Sequence, residues 1–240
     1  LLGKVVSREI ADELLSNRIE LGGEEKVVSV LFADIRGFTR LSEQQTPSQT
    51  LVMLNTCLER ICSAIEAHGG VVDKFTGDAV MALFGAPVGH QDDALRAARA
   101  LLAVQQAMQE VNVELRGDNA HQQPALQLQL GAGLHTGLVV AGNMGSRNRM
   151  NYTVIGDAVN LASRLEGLTR YYDVHNVISE ASRQALGEQA QAFAWRELDL
   201  VRVKGKQEPV RIYELLGPRA ALDARAEAEL AQFAQALMHY

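Results

Sequence analysis

The sequence predicts an α/β fold, an α+β sandwich in which helices pack on one mixed sheet, from three observations. Residues 27–35 form a nearly continuous apolar run, VVSVLFADI, which is typical of a central strand buried on both faces. Residues 47–67 carry apolar side chains at alternating steps of three and four, which predicts an amphipathic helix begun by Pro47. Residues 71–75 and 79–84 are short apolar stretches around a tight TGD turn, which predicts a hairpin.

The rest of the chain continues the alternation of strands and helices. We expect a long helix from Asp92, a long strand over 126–142, a polar loop over 143–151 and a short strand over 152–155. Glycines lie inside the long strand, and we expect bends or bulges at them. Further predicted elements are a helix after Asp157, a strand over 174–178, a helix over 180–186 and strands over about 193–203 and 208–215. The order β-α-β-β-α-β matches the ferredoxin-like pattern.

Three parts are expected along the chain. Residues 1–23 hold an apolar helical pattern over 4–19, residues 24–216 form the main domain, and residues 217–240 form an alanine-rich terminal helix. The chain begins with Leu1 rather than Met, so we expect a fragment of a longer protein. The stretch GGEEK (22–26) superficially resembles the GGEEF signature of diguanylate cyclases. That signature needs a hairpin turn between two strands, whereas this stretch is expected before the first strand, so we reject the match.

Composition narrows the classes of function. The chain has 240 residues, 47% of them hydrophobic, and a net charge of −6, so disorder is excluded and a nucleic-acid partner is not expected. Cys57 and Cys62 lie five apart in a helical pattern, where a disulfide is not expected, and two buried thiols fit a reducing compartment. No apolar run reaches the roughly 18 residues of a membrane span. The histidines have no zinc or catalytic-triad spacing, and His135 is expected to be structural.

Two aspartates are candidate metal ligands. Asp34 ends the buried apolar run, and Asp78 lies in the tight turn of the hairpin. If their strands are neighbours, the two carboxylates meet and repel each other unless a cation neutralises them. Carboxylate and phosphate oxygens are the ligands that Mg²⁺ prefers. Alone, either aspartate is equally well explained as a turn or cap residue.

A glycine turn follows Asp34. Gly37, Phe38 and Thr39 lead into the next helix, whose first N–H groups could bind a polyphosphate beside the metal. An ordinary strand-to-helix turn would have the same sequence, so the pattern alone leaves both interpretations open.

Three further polar residues suit phosphate chemistry. Asn160 and Arg164 lie four apart on one predicted helix and share a face, where the guanidinium could bind phosphate oxygens. Lys204 lies in VKGKQEP, a predicted hairpin. A solvated helix face and a charged surface turn are the alternatives.

Five segments together resemble the catalytic domain of class III nucleotidyl cyclases over about residues 24–216. They are LFADIRGFTRLSE (31–43), DKFTGDAVMALFG (73–85), GLHTG (133–137), YTVIGDAVNLASRLE (152–166) and VKGK (203–206). The resemblance implies a head-to-tail dimer with active sites between the two domains, and the fold of that family.

The resemblance also implies a role for each matching residue. Asp34 and Asp78, with the backbone carbonyl of Ile35, would hold two Mg²⁺ or Mn²⁺ ions per site. From the other chain, Lys74 and Thr153 would read the purine. By the same resemblance, Asn160 and Arg164 would stabilise the transition state, and Lys204 would bind the terminal phosphates.

The purine-reading pair favours ATP. Lys74 can donate to adenine N1 and the Thr153 hydroxyl can accept from the 6-amino group, whereas guanine presents the opposite pattern. The family's guanylyl cyclases usually have Glu and Cys at these positions. Thr153 departs from the Asp of many adenylyl cyclases and resembles a subclass with bicarbonate-responsive members.

The sequence therefore predicts an adenylyl cyclase that converts ATP to 3′,5′-cyclic AMP and pyrophosphate as a homodimer, the output domain of a signalling protein. The alternatives are a guanylyl cyclase and a catalytically inactive nucleotide-binding domain that regulates a partner. We expect a cytoplasmic catalytic domain with an upstream sensor outside this fragment, and a membrane-anchored full-length protein stays open.

Overall fold

In a computed structural model, the described residues are 7, 9–12, 21–43, 45–118, 127–146, 149–203 and 208–238. Their strands form one eight-stranded sheet in the order β2-β3-β1-β4-β6-β8-β7, with β5 paired to β4. The strands are β1 (Gly22–Arg36), β2 (Val71–Thr76), β3 (Ala79–Phe84), β4 (Gln129–Ser146), β5 (Arg149–Ile155), β6 (Asn176–Ser179), β7 (Phe193–Val201) and β8 (Val210–Pro218). The α-helices are α1 (Phe38–Ser42), α2 (Pro47–Ala67), α3 (Asp93–Asp118), α4 (Asp157–Tyr171), α5 (Glu180–Ala185) and α6 (Ala224–Met238). Short 3₁₀ helices cover Gly187–Ala192 and Arg219–Ala221.

The sheet is mixed, as predicted. β4 pairs with β6 in parallel, and β1 pairs antiparallel with β3 and β4. β1, α2, β2, β3, α3 and β4 follow each other as the ferredoxin-like pattern requires. The predicted fold class is therefore confirmed.

β1 is the central strand and is buried on both faces. Leu31, Ala33 and Ile35 belong to a core that includes α2 and α3 on one face of the sheet. Val28 and Val30 point to the other face, where the core includes the first part of α4. Because side chains alternate along a strand, Asp34 lies on the α4 face.

α2 begins where the sequence indicates. Thr46 and Gln49 form a reciprocal capping box, and Pro47 occupies the first turn. These contacts satisfy N–H groups that a helix start leaves unpaired.

β4 is long and its ladder with β1 has no register shift, so the bulges predicted at its glycines are wrong. Its register with β1 runs without a shift from Gly22–Asn143 to Arg36–Gln129. A glycine is needed for another reason at Gly133, where a Cβ would lie 2.2 Å from the backbone nitrogen of Glu166. The small residue lets α4 pack directly against the strand.

Several predicted boundaries need correction. GGEEK (22–26) lies inside β1, and Gly22 and Gly23 pair with the far end of β4, because antiparallel pairing extends the strand beyond its apolar part. The predicted loop 143–151 is mostly the β4–β5 ladder, apart from residues 147–148, which lie outside the described residues. β8 continues to Pro218, and the terminal helix begins at Ala224.

The ends of the chain are described only in part. Of the helical pattern over 4–19, residues 9–12 are helical and Ile10 is buried, and the remainder lies mostly outside the described residues. α6 is mainly exposed, and its Phe233 ring lies 5.5 Å from the guanidinium of Arg196 on β7. The three-part division of the chain remains a prediction.

Candidate active site

The two predicted metal-binding aspartates lie side by side. Asp34 is the register partner of Ala79 in β3, and Asp78 directly precedes Ala79 in the turn. Asp78 raises the pKa of Asp34, although burial of that carboxyl raises it more. The sheet topology thus brings together two carboxylates that lie 44 residues apart, as the pairing of their strands predicts.

Arg170 on α4 contacts Asp34, one member of this pair. Its Nη2 donates a hydrogen bond to Oδ2 of Asp34 at 2.5 Å. The arginine opposes the rise in the pKa of Asp34, but burial and Asp78 outweigh it, so the pKa stays above its ordinary value. Asp34 is therefore only partly neutralised.

Glu166 and Arg36 extend the charged cluster and were not identified from the sequence. Glu166 lies one helical turn before Arg170, and burial, with Asp34 as the next contribution, raises its pKa to about 7. Oε1 of Glu166 and Nε of Arg36 are buried atoms without a hydrogen-bond partner. The signal in the sequence was the spacing of four between Glu166 and Arg170, which places both on one helix face.

The donor set fits a divalent cation that also binds substrate phosphate. Among the residues that the structure describes, no three or more His, Cys, Asp or Glu side chains form a metal cluster by themselves. The repulsion between the two carboxylates is only partly compensated, and a cation that they hold would have its remaining positions free for phosphate oxygens and water, as Mg²⁺ prefers. Ile35 has a buried side chain in the core and pairs with Leu130, and the role of its carbonyl remains a prediction.

The turn after Asp34 has the predicted shape. Gly37 has a φ of 75°, in the left-handed region that glycine adopts most easily, and it is the N-cap of α1. Phe38 is buried under the turn and Thr39 is exposed. α1 has only five residues, so phosphate binding by these three residues remains a prediction.

Lys74 and Thr153 both contact Asp73, a residue that the sequence analysis did not identify. The Thr153 hydroxyl donates to Oδ2 of Asp73 at 2.9 Å, and Nζ of Lys74 lies 3.2 Å from the same oxygen. The side chain of Asp73 has no exposed surface, whereas that of Lys74 is 48% exposed. The signal was an acid inside the apolar stretch VVDKF.

Asn160 and Arg164 lie on the first half of α4, away from the carboxylate pair of their own chain. Asn160 is exposed and Arg164 is half-buried, with an Nη1 atom that is buried and has no hydrogen-bond partner. Along a helix that rises about 1.5 Å per residue, Asn160 lies roughly 15 Å and Arg164 roughly 9 Å before Arg170, the residue of α4 that contacts Asp34. Arg164 is not among the charged groups that act on Asp34, which are Asp78, Arg170 and Arg36.

The other sequence predictions fall outside this cluster. Lys204 lies outside the described residues. His135 is buried, and its Nδ1 lies 2.7 Å from Oγ of Ser179, as expected of a structural histidine. Cys57 and Cys62 are free, and burial raises the pKa of each thiol to about 11.

No helix among the described residues is long and apolar enough to cross a membrane.

Comparison with known proteins identifies the family. Residues 23–217 match the model of the adenylate and guanylate cyclase catalytic domain. An adenylate cyclase of Anabaena cylindrica is 40% identical over 208 residues, which are 86% of this chain and 40% of that protein. The chain thus spans less than half the length of this curated relative.

Solved structures of both specificities resemble the chain. The crystal structure of an adenylyl cyclase from P. aeruginosa is 33% identical with a TM-score of 0.74, over 85% of this chain and 100% of that one. The crystal structure of a guanylyl cyclase is 35% identical with a TM-score of 0.72, over 85% of this chain and 98% of that one. The resemblance drawn from the five motifs is confirmed, and the chain belongs to the class III family of adenylate and guanylate cyclase catalytic domains.

Proposed function

We propose that this domain is an adenylyl cyclase that converts ATP to 3′,5′-cyclic AMP and pyrophosphate. The observation that carries the choice of ATP is the convergence of Lys74 and Thr153 on the buried Asp73. An ammonium donor beside a hydroxyl that can accept matches N1 and the 6-amino group of adenine.

In the proposed reaction, the ribose 3′-hydroxyl loses its proton and its oxygen attacks the α-phosphorus in line. The bond from that phosphorus to the bridging oxygen breaks, and pyrophosphate leaves. Divalent cations held by Asp34 and Asp78 would lower the pKa of the 3′-hydroxyl and neutralise charge on the departing pyrophosphate. Asn160 and Arg164 would stabilise the transition state, Arg164 through the negative charge that develops on the α-phosphate. Lys204 would bind the terminal phosphates.

We propose further that the active unit is a homodimer with two shared sites. One chain carries the carboxylate pair, the purine pair and the transition-state pair. Within that chain, however, Asn160 and Arg164 lie away from the carboxylate pair. A second copy arranged head to tail would supply the missing half of each site. The same chain would thus serve both sites.

Exposed apolar residues offer a surface for the second copy. Val27 and Leu138 are register partners in β1 and β4, and they are 65% and 57% exposed. Ile155 on the neighbouring β5 is 55% exposed. Apolar side chains clustered on adjacent strands are typical of an interface.

Because the chain spans only part of its relatives, we propose that it is the output domain of a longer signalling protein. In this proposal, an upstream sensor supplies the input signal and the catalytic domain lies in the cytoplasm.

The test is product identity. The purified chain is incubated with ATP or GTP in Mg²⁺ or Mn²⁺, and the products are separated by chromatography, with Arg164→Ala alongside. Cyclic AMP formed in preference to cyclic GMP, and lost in the variant, would support the proposal. Cyclic GMP as the main product would favour the guanylyl cyclase that one solved relative represents. Absence of both products at concentrations where the chain is a dimer would favour the inactive regulatory domain.

A further inference from the structure

The side chain of Asp73 is positioned by a β-bulge in β2. Val72 pairs with Ala82 and Lys74 pairs with Met81, so Asp73 is an extra residue without a partner in β3. Such a bulge bends the strand and re-aims a side chain. Here the carboxylate is fully covered although it lies next to a half-exposed lysine.

Thr153 approaches from the other hairpin. β5 carries it opposite Gly142 of β4, and its neighbours Tyr152 and Val154 pack in the same apolar cluster as Val71 of β2. This cluster holds the β2–β3 and β4–β5 hairpins together, so residues 80 positions apart can form the hydrogen bond between Thr153 and Asp73. The contact is therefore fixed by the core, not by flexible surface chains.

The direction of this hydrogen bond decides what Thr153 can offer to a ligand. A carboxylate has no proton to donate, so the threonine hydroxyl must donate to it. The hydroxyl then has only its lone pairs free, and its oxygen can accept a hydrogen bond but cannot donate one elsewhere. An amino group on a purine would be accepted there, and a carbonyl oxygen would meet another acceptor.

We propose that Asp73 is a specificity-determining positioning residue, which fixes the Thr153 hydroxyl as an acceptor and so makes the purine site select a 6-amino over a 6-oxo group. This rests on the proposed function, because it presumes that Lys74 and Thr153 face the base of a nucleoside triphosphate. Asp73 acts through Thr153 and does not itself touch the base. It works against guanine by placing acceptor against acceptor, as selective sites commonly do.

The test compares ATP with inosine triphosphate, which has a 6-oxo group in place of the 6-amino group. Inosine also carries a proton on N1 that opposes Lys74, but this difference is present in every variant, so a change in the ratio of the two kcat/KM values reports on the contact at position 6. The acceptor-against-acceptor contact with Thr153 contributes about 10-fold to the ratio in the native domain. The ratio within one protein is independent of the fraction that is active, so a variant that folds less well can still be interpreted.

Asp73→Leu and Asp73→Asn form the matched pair. Both are uncharged and of similar shape, but only asparagine keeps an acceptor. The ammonium of Lys74, 3.2 Å from Oδ2, favours the amide oxygen at that position over the amide nitrogen. We expect Asp73→Leu to reduce the ratio about 10-fold, because the freed Thr153 hydroxyl can donate to the 6-oxo group, and Asp73→Asn to keep it within a few-fold of the native value. If Asp73→Leu does not fold, Asp73→Ala removes the acceptor without adding volume.

Thr153→Val completes a double-mutant cycle and separates the two proposals. It should lower the ratio by itself, and Asp73→Leu added to it should change the ratio no further. A ratio that Thr153→Val lowers but Asp73→Leu leaves at the native value would overturn the role of Asp73 and leave the proposed function standing. Absence of cyclic AMP from the native domain, or a base preference insensitive to Thr153, would instead overturn the proposed function.

Discussion

Arg170 donates a hydrogen bond to Asp34 at 2.5 Å, so one of the two candidate metal-binding carboxylates is paired with a cation of its own chain. The arginine lies mostly in solvent, and the aspartate is buried. An exposed partner of this kind contributes only a modest interaction energy, and it can be displaced.

We expect Arg170→Gln to bind Mn²⁺ more tightly, by about 3- to 10-fold, because the cation no longer competes with a guanidinium for Asp34. Calorimetry at pH 8 measures the dissociation constant without nucleotide. Arg183→Gln, far from the carboxylates, is the control and should leave it unchanged. Equal or weaker binding by Arg170→Gln would mean that the arginine supports the site and does not compete with the ion.

The shared-site dimer predicts complementation between two inactive chains. Asp78→Ala lacks a metal ligand and Arg164→Ala lacks the transition-state cation, so each homodimer should be inactive. In an equal mixture, about half of the dimers contain both chains and each of these has one intact site, so activity should recover to about a quarter of native. Cyclic AMP formation after mixing measures this. Failure to recover, with chain exchange verified by a labelled subunit, would contradict sites shared between chains.

The apolar surface of Val27, Leu138 and Ile155 predicts where the second copy binds. Val27→Glu would bury a charge in the interface, so the dissociation constant of the dimer should rise at least about 10-fold. Sedimentation equilibrium measures it. Leu200→Glu, a half-exposed apolar position on β7, is the matched control and should leave dimerisation intact. A dimer unaffected by Val27→Glu would place the interface elsewhere.

The carboxylate pair could be predicted from the sequence because each aspartate lies next to a recognisable strand. Once β1 and β3 pair, Asp34 and the turn before Ala79 must meet, whatever the remaining chain does. The contact between Arg170 and Asp34 could not be predicted in this way. It depends on how closely α4 packs on β4, which the small residue at Gly133 permits and which no local pattern encodes.

The contact between Asp73 and Thr153 could not be predicted from the sequence, for a related reason. A regular strand would alternate Asp73 and Lys74 between opposite faces, and the bulge against β3 lets Lys74 approach the same Asp73 carboxylate oxygen that binds Thr153. Register shifts arise from pairing in the folded sheet, so a stretch such as VVDKF predicts a strand but not its irregularity.

The buried Cys57 and the partly buried Cys62 predict low thiol reactivity in the native state. Burial raises the pKa of Cys57 and of Cys62 to about 11, so the thiolate fraction at pH 7.5 is very small. We expect iodoacetamide to label both at least about 100-fold more slowly than glutathione in the folded protein, and at a similar rate in urea. Mass spectrometry of the labelled chain measures the rates. Rapid labelling of either cysteine in the folded chain would contradict the burial of α2 against the sheet.

Glu166 predicts a dependence of stability on pH. Its pKa is raised from 4.5 to about 7, chiefly by burial, so the folded state holds this proton more tightly than the unfolded state does. The unfolded chain then binds fewer protons between about pH 4.5 and 7, and the free energy of unfolding must fall as the pH rises through that window. A pKa change of this size corresponds to at most roughly 3 kcal/mol, and partial exposure of the side chain reduces the expected effect to about 1 kcal/mol.

Glu166→Gln removes this titration and resembles the neutral acid. Relative to the native chain, we therefore expect the variant to gain about 1 kcal/mol of stability between pH 5 and pH 8, measured by urea unfolding in the presence of a chelator. Chelation keeps divalent ions from adding their own charge beside Asp34. Glu188→Gln, an exposed position in the 3₁₀ helix, is the matched control and should leave the difference between the two pH values unchanged. A variant that is equally stable relative to native at both pH values would mean that Glu166 is ionised throughout, with its charge compensated by Arg36 and Arg170.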